Sequence, residues 1–230
     1  MANKRPDVLA VGSDRSPSRA REDYVKAIYQ LGAAGPVRAA ALARYLRVSR
    51  VSVSKAKRLL ESEGLLESDV TPSQPLRLTR RGERLAVAMV RRHRVLETFF
   101  HRTLRIPLER IHAEAERIEH AISDDVAMRI AELIGRPPCD PHGHPIPYGD
   151  DAPSPKPLPT LTMLSAGTRA RVVSLDDRDD AAVAALAAAR VLPGSSLRVE
   201  RNDAGAVLVS CGRRRIALRR NHAAMVRVAT

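Results

Sequence analysis

Cysteine and long apolar runs are scarce in this chain. Only two cysteines occur in 230 residues, Cys139 and Cys211. So few cysteines cannot build a disulfide framework and are typical of a reducing compartment, so we expect a cytoplasmic protein. No apolar run approaches the ~18 residues that a membrane helix needs. The early run at residues 8–12 is too short for the core of a signal peptide. We therefore expect neither membrane insertion nor secretion.

Sequence motifs of enzymes are also missing. The chain has no His-Glu-x-x-His, no glycine-rich phosphate loop, no Gly-x-Ser-x-Gly and no setting that would activate a cysteine nucleophile. The Glu-x-x-His pair of di-iron bundles is absent as well, because Arg117 stands three residues before His120. We therefore predict that the protein is not an enzyme, and we keep a metalloenzyme built on the central helices as an alternative.

What the chain has in excess is positive charge. Lys and Arg number 39 against 26 Asp and Glu, which gives a net charge of +13 and favours a polyanionic partner. Residues 36–92 alone contain 13 Lys and Arg against 5 Asp and Glu. This segment alone therefore carries +8, so much of the positive charge that a polyanion would need lies in the first half of the chain.

The first third of the chain has the pattern of a winged helix-turn-helix. Apolar spacing predicts helices at 21–31, 37–46 and 49–64, with Ser49 as the N-cap of the third. Extended segments at 65–68 and 76–79 flank a turn-rich stretch and predict a hairpin. In this fold the third helix enters the DNA major groove.

The remainder predicts an α+β multidomain chain. Two long helices at 81–104 and 108–134 carry apolar stripes that predict a homodimer seam: Leu85, Val95, Leu96, Phe99, Ile111, Ile118, Ile122 and Ile130. Five short strands and one helix at 180–191 then predict a small closed β-barrel. The predicted domains are a flexible tail (1–18), the winged helix-turn-helix (19–80), a helical metal-binding and dimerisation domain (81–136), a linker (137–160) and the barrel (161–230).

Acidic and histidine side chains gather on the two central helices. At about 100° per residue, four of them fall within an arc of about 100° on one helix: His112, Glu116, Glu119 and His120. His93 and Glu97 form an i, i+4 pair on the preceding helix. Such a set of oxygen and nitrogen donors predicts a divalent-metal site. Cys139, His142 and His144 in the linker are an alternative metal site, which their loose spacing disfavours.

Three segments carry a resemblance to a known family: Glu-Asp-Tyr-Val-Lys-Ala-Ile-Tyr at 22–29, Arg-Arg-His-Arg-Val-Leu-Glu at 91–97 and His-Ala-Glu-Ala-Glu-Arg-Ile-Glu-His at 112–120. Over about residues 20–230 the chain resembles the diphtheria-toxin-repressor family of metalloregulators, in particular its manganese-sensing branch. The resemblance implies an SH3-like, FeoA-like C-terminal barrel. It also implies a homodimeric, metal-dependent transcriptional regulator, a repressor of metal-uptake genes that binds a palindromic double-stranded DNA operator.

The resemblance also implies the metal ligands. Asp23, Glu116, Glu119 and His120 would form a primary site, and His93, Glu97 and His112 an ancillary one. Asp23 and Glu116 stand where the iron-sensing branch usually has Met and Cys, so we predict Mn²⁺, with Fe²⁺ as the alternative. Lys26 replaces a further Glu ligand of some manganese sensors, which favours a primary and an ancillary ion over a pair. Asp179 or Asp180 falls near the place of a barrel ligand.

The candidate DNA contacts lie on the third helix and the wing. The start of that helix presents short donors and cations to the groove, and the wing supplies arginines for phosphates. The predicted set is Ser49, Arg50, Ser52, Ser54, Lys55, Arg58, Arg77 and Arg80, with Arg81 beside it. Val51 stands where the family commonly has Pro and could contact a thymine methyl. A DNA-binding protein with a purely structural ion remains the second alternative.

Overall fold

The computed structural model describes residues 19–68, 74–149 and 157–230. The tail at 1–18 and the tip of the predicted hairpin at 69–73 lie outside these residues, as does the part of the linker at 150–156. The fold is built from eight α-helices and five strands within the described residues. In chain order they are α1 (Arg19–Gly32), α2 (Ala39–Leu46), α3 (Arg50–Ser62), α4 (Arg80–Arg102), α5 (Leu108–Ile118), α6 (Asp124–Leu133), β1 (Arg169–Leu175), α7 (Asp180–Ala188), β2 (Ser196–Asn202), β3 (Ala206–Cys211), β4 (Arg214–Arg219), α8 (Arg220–Ala224) and β5 (Val226–Ala229).

Helices α1 to α3 and a small wing form the N-terminal domain around one apolar core. The prediction of a second helix beginning at residue 37 is wrong at its start, because Val37 is extended and pairs with Leu76 of the wing. Leu66 and Leu78 form the other bridge of the wing. Arg47 adopts a left-handed backbone with φ of 55° and ends α2, which makes the turn before α3.

The second predicted long helix is in fact two helices. α5 ends at Ile118, and α6 begins at Asp124 after Ser123, whose side chain accepts a hydrogen bond from the Val126 amide. Ser123 is therefore an N-cap that starts a new helix, and sequence periodicity alone ran across it. The consequence for the site is direct, because residues 119–123 form a turn rather than a continuation of α5.

Part of the apolar stripe expected at a dimer seam is buried within the chain itself. Leu96 and Ile111 pack in a core that includes Val183 of α7, so the C-terminal domain covers them. Other apolar side chains of the helical domain remain open, with Leu104, Val126 and Leu133 exposed by 53%, 42% and 75%. Among the described residues, no helix combines the length and apolar character needed to cross a bilayer.

The C-terminal domain is a five-stranded antiparallel sheet in the order β4-β3-β2-β1-β5. The predicted strands and the predicted SH3-like, FeoA-like architecture are confirmed. Within residues 157–230 no ladder joins β4 to β5, so the expected closed barrel is open along that seam. The short helix α8, which the sequence pattern did not predict, connects these two strands.

Candidate metal centre and nucleic-acid interface

Helix α3 presents a polar face to solvent. Ser49 caps it, because its Oγ accepts a hydrogen bond from the Ser52 amide at 3.0 Å. Val53 and Leu60 anchor the opposite face in the core. All the predicted groove contacts on this helix are exposed: Ser49, Arg50, Ser52, Ser54, Lys55 and Arg58, with Val51 among them. The Ser49 hydroxyl is engaged at the cap and also lies 2.9 Å from Ser52 Oγ, so its first role is to start the helix.

The wing arginines lie on either side of Thr79. Arg77 and Arg80 are exposed, and Arg81 donates a hydrogen bond to the Glu63 carbonyl at 2.8 Å, which ties α4 to the end of α3. Thr79 caps α4 by accepting from the Gly82 amide. A side chain at residue 82 would not fit, because a Cβ there would lie 2.0 Å from the Leu65 carbonyl oxygen. Helix α4 therefore starts in close contact with the wing.

Three predicted ligands meet between α1 and the turn after α5. Asp23, Glu119 and His120 offer ligand atoms that all lie within 4.8 Å of one another, and we call them the primary cluster. The Asp23 Oδ1 atom is 3.0 Å from His120 Nε2. Burial is the largest influence on Asp23 and raises the pKa of its carboxyl. A contact between the N-terminal domain and the helical domain is thus made by predicted metal ligands.

The fourth predicted member of that set is elsewhere. Glu116 is exposed, with its carboxylate 3.5 Å from His112 Nε2 rather than beside Asp23. The reason is the end of α5 at Ile118. Glu119 and His120 follow the helix in a turn, so the arc expected for one continuous helix does not hold for them. The structure brings together three of the four predicted primary ligands.

Glu22 belongs beside this cluster and sequence reasoning missed it. Its carboxylate is 2.6 Å from His120 Nδ1 and is 4% exposed. A carboxylate on one imidazole nitrogen fixes the ring and leaves the other nitrogen to face the remaining ligands. The available signal was the i, i+4 pair of charged residues Glu22 and Lys26 on the buried side of α1.

Lys26 places a positive charge inside the primary cluster. Its ammonium donates to both carboxylate oxygens of Glu119, at 2.8 and 2.9 Å, and lies 3.2 Å from His93 Nδ1. The residue is 7% exposed. Burial opposes the charge of Glu119, but His93 and Lys26 outweigh it and lower the pKa of this carboxyl to about 2. Glu119 is therefore an ionised carboxylate held by the side chain of a buried lysine.

The predicted ancillary ligands also converge. His93, Glu97 and His112 lie together with Asp177 in what we call the ancillary cluster. His93 connects it to the primary cluster, because its Nδ1 is 2.5 Å from Glu119 and its Nε2 is 3.0 Å from Glu97. Burial and Lys26 oppose protonation of His93, but Glu97 and Glu119 outweigh them and raise its pKa to about 10.

The acidic residue of the C-terminal domain that lies beside the ancillary cluster is Asp177, so the expectation of Asp179 or Asp180 at this place is wrong. Asp177 follows β1, and its carboxylate is 3.7 Å from His112 Nδ1. Asp179 instead caps α7 by accepting from the Ala182 amide at 3.0 Å, and Asp180 is the first residue of that helix. The spacing of sequence motifs could not distinguish acidic residues that lie two or three positions apart in the same loop.

Histidines of the predicted linker extend the ancillary cluster. Glu97, Asp140 and His142 are all buried and lie within 4.8 Å of one another, and we call them the loop group. Cys139 is not part of it, which corrects the alternative site Cys139, His142 and His144. His144 lies 3.6 Å from Asp177 and 3.4 Å from Asp140. Burial opposes protonation of His142, but Glu97 and Asp177 raise its pKa to about 9.

Residues 137–149 reach this place because they pack as an ordered loop rather than as a free linker. The Leu175 amide donates to the His142 carbonyl at 2.9 Å. Gly143 has φ of 90°, and a Cβ there would lie 2.0 Å from the Val173 carbonyl oxygen. Arg91 also holds the loop, by donating to the Pro147 carbonyl at 3.0 Å. Glycine is required at position 143 for the loop to approach β1.

The unsatisfied atoms of this region favour an ion. Buried side-chain atoms with no hydrogen-bond partner among the described residues are Glu97 Oε2, Asp140 Oδ2 and His142 Nδ1, together with Arg92 Nε. The first three are the loop group, and all are good metal-ligand atoms. Buried polar atoms are normally paired, so three orphans at one point indicate a missing partner. Oxygen and nitrogen donors suit Mn²⁺ or Fe²⁺.

The residue after Asp177, Arg178, contacts the N-terminal domain. The Arg178 guanidinium lies over the Tyr45 ring of α2, 4.6 Å from its centroid. Asp176 fixes this guanidinium through an ion pair. The Tyr45 hydroxyl donates to Gln30 of α1 at 2.9 Å. Two consecutive residues thus contact different parts of the molecule: Asp177 lies at the ancillary cluster, and Arg178 lies against the helix-turn-helix.

Comparison with known proteins identifies both C-terminal parts of the chain. Residues 79–148 match the family model described as iron dependent repressor, metal binding and dimerisation domain. Residues 160–230 match the FeoA domain. The chain is 34% identical over 204 residues to the iron-dependent repressor IdeR of Mycobacterium leprae, covering 82% of this chain and 86% of the relative.

Solved structures agree in fold and sequence. A manganese-dependent transcriptional repressor in complex with manganese superposes with a TM-score of 0.82 at 32% identity, covering 91% of this chain and 99% of that one. IdeR of T. acidophilum superposes with a TM-score of 0.71 at 30% identity, covering 91% and 97%. The protein therefore belongs to the iron-dependent repressor family, also named after the diphtheria toxin repressor, whose members are metal-dependent transcriptional regulators.

Proposed function

We propose that this regulator is a homodimeric, Mn²⁺-dependent repressor that binds a palindromic DNA operator and acts in the cytoplasm on metal-uptake genes. Fe²⁺ is the alternative ion. The observation that carries the proposal is the 3.0 Å approach of Asp23 on α1 to His120 after α5. An ion bound there supplies a strong electrostatic link between the DNA-binding domain and the helical domain.

The donor set supports a hard or borderline divalent ion. The primary and ancillary clusters contain carboxylates and imidazoles, and sulfur from Cys139 or Cys211 enters neither of them. Soft thiolate ligands would favour zinc or copper, whereas oxygen donors suit manganese. The iron-dependent relatives and the manganese-dependent structure have the same fold, so the choice between Mn²⁺ and Fe²⁺ is a matter for direct measurement.

Lys26 supports one ion rather than two at the primary cluster. Its ammonium is bound to both oxygens of Glu119 at 2.8 and 2.9 Å. With the Lys26 ammonium and one ion already at this carboxylate, a second divalent ion would be a third positive centre in a buried place, which is unfavourable. We therefore assign one ion to Asp23, Glu119 and His120 and one to the ancillary cluster with the loop group.

DNA reading and dimerisation rest on exposed surfaces. The exposed polar face of α3 fits the major groove, and Arg77 and Arg80 fit flanking phosphates. Leu104, Val126 and Leu133 remain open on the helical domain and offer apolar area to a second copy. Two recognition helices must lie about 34 Å apart to enter successive major grooves, so a fixed domain orientation raises affinity.

The chain's family consists of transcriptional repressors, so the prediction that it is not an enzyme is confirmed and the metalloenzyme alternative is dropped. The remaining alternative is a DNA-binding protein with a purely structural ion. It differs in one observable respect, because a chelator would not release such a protein from its operator.

The test is operator binding measured by fluorescence anisotropy on DNA from the gene's own upstream region, with Mn²⁺, Fe²⁺, Zn²⁺ or chelator. We expect Mn²⁺ to raise affinity about 5- to 150-fold, the range of typical allosteric coupling. Asp23→Ala should remove this gain and leave the dimer intact in analytical ultracentrifugation. Arg117→Ala, which changes an exposed residue on α5, is the control. Full metal dependence in the Asp23 variant would refute the proposal.

A further inference from the structure

The outer face of the C-terminal sheet carries a cluster of unpaired arginines. Side chains alternate along β1 and β2, so Ala170, Val172, Leu197 and Val199 enter the core. Arg169, Arg171 and Arg198 take the opposite face and are exposed. We call these three residues the arginine face. None of them has an acidic partner among the described residues, unlike Arg201, which is held by Asp203 at 2.7 Å.

The strand register brings like charges together on this face. Arg169 stands directly opposite Arg198 in the β1–β2 ladder. Directly opposed side chains lie about 4.5 to 5.5 Å apart at Cβ, and like charges in that position destabilise a sheet. Arg171 is two residues further along β1, about 7 Å away on the same face. An arrangement that is unfavourable in the free protein becomes favourable when an anion is bound.

Charge is segregated across the whole domain. Residues 157–230 contain 12 arginines, no lysine and 6 acids, and 4 of those acids lie at 176–180 between β1 and α7. On the outer face Arg198 is followed across the sheet by Ser210 and Arg215. The acid on this face, Glu200, is already bound to Arg215 at 3.1 Å. Exposed Arg213 and Arg214 extend the positive area at the adjoining hairpin.

We propose that the arginine face of the C-terminal domain is a second DNA-contacting surface, which binds phosphates of the duplex outside the segment read by α3. The planar guanidinium group binds phosphate through two hydrogen bonds, and neighbouring arginines match the closely spaced charges of one polyanion. Duplex DNA is the occupant because it is the polyanion that a regulator of this family engages. The inference rests on the proposed operator binding.

The experiment measures the salt dependence of binding to an operator duplex that carries about one extra helical turn on each side. Removal of one arginine that binds a phosphate should reduce the slope of log K against log salt by about 0.9, so Arg169→Gln/Arg171→Gln/Arg198→Gln should reduce it by up to about 2.7 per protomer. A salt increase from about 50 to about 200 mM then costs the parent chain up to about 40-fold more affinity per protomer than the triple variant.

The matched control lies on the same strand. Arg198→Gln should reduce the slope, whereas Arg201→Gln should leave it nearly unchanged because Asp203 already neutralises Arg201. The triple variant should unfold at the same temperature as the parent or higher, since it relieves repulsion. An unchanged slope, or equal effects of the two single variants, would overturn the inference and assign the face to an acidic protein partner or to solvent. Metal-independent binding by the parent would instead refute the proposed function.

Discussion

The primary and ancillary clusters use the same carboxylate and imidazole groups but differ in how their charge is balanced. In the primary cluster the ammonium of Lys26 is bound to Glu119, and Glu22 holds His120, so every buried group there has a partner among the described residues. The ancillary cluster and its loop group keep buried Glu97, Asp140 and His142 atoms without a hydrogen bond in the described part of the chain. Their ion-pair contacts are long, with His142 Nδ1 3.6 Å from Glu97 and Asp140 Oδ2 3.4 Å from His144.

This difference in charge balance suggests that the two clusters have different roles, one in stability and one in switching. The loop group keeps buried ligand atoms without a hydrogen bond, so we expect it to depend more on metal for its stability than the primary cluster does. The primary cluster can persist without metal because Lys26 supplies a charge. It joins α1 to the turn after α5, so we expect its metal state to control the contact between the domains. The comparison predicts a stabilising ancillary site and a switching primary site.

The largest expected effect comes from removing the buried ammonium group of Lys26. Lys26→Met removes one of the two cationic partners of buried Glu119 and leaves His93 at 2.5 Å, so the expected cost is about 3 kcal/mol, the lower end of the range for breaking a buried ion pair. We expect a loss of this order in the free energy of unfolding of the chelated protein, measured by urea denaturation. Saturating Mn²⁺ should restore a part of it.

The control for this experiment is Lys57→Met. Lys57 forms a partly exposed i, i+4 pair with Glu61 at 3.0 Å on α3, and helix pairs of this kind contribute about 0.3 to 0.5 kcal/mol. Equal losses in the two variants would show that Lys26 does not balance the primary cluster.

The stability of the chelated protein should depend on pH through ionisable groups of both clusters. The pKa of His93 is raised to about 10 and that of His142 to about 9, so both imidazoles are more easily protonated in the folded protein. Their contribution to the stability of the fold is complete below the ordinary value of 6.5 and is lost as the pH rises through 9 to 10. The lowered pKa of Glu119, about 2, stabilises it above the ordinary value of 4.5, and this is lost as pH falls toward 2.

The melting temperature of the chelated protein should therefore be highest between pH 4.5 and pH 6.5. With Mn²⁺ present the alkaline decline should shrink, because metal binding displaces the imidazole protons. Calorimetry from pH 4 to pH 10 measures both curves; a maximum above about pH 8 in the chelated protein would contradict the assigned charge states.

Sequence alone could predict the elements of this site better than their junctions. Apolar periodicity located α1, α3 and α4, and the His93, Glu97 and His112 pattern predicted side chains that do converge. It failed where a local cap overrides periodicity, as at Ser123, which removed Glu116 from the primary cluster. It also failed where distant segments meet. Asp177 and His142 join Glu97 only through tertiary packing, which no spacing along the chain records.

The smallest expected effect tests whether the two regions are linked. Arg178 follows the ancillary residue Asp177 and stacks on Tyr45 of the helix-turn-helix at 4.6 Å. A cation–π contact contributes about 0.5 to 2 kcal/mol, so Arg178→Ala should reduce the Mn²⁺-dependent gain in operator affinity about 2- to 30-fold while the bound manganese per protomer stays unchanged. Tyr45→Leu should have a similar effect, and the double variant should lose little more than either single one. Additive losses would show that Arg178 and Tyr45 act separately, and the ancillary cluster would then influence DNA binding only through His93 and the primary cluster.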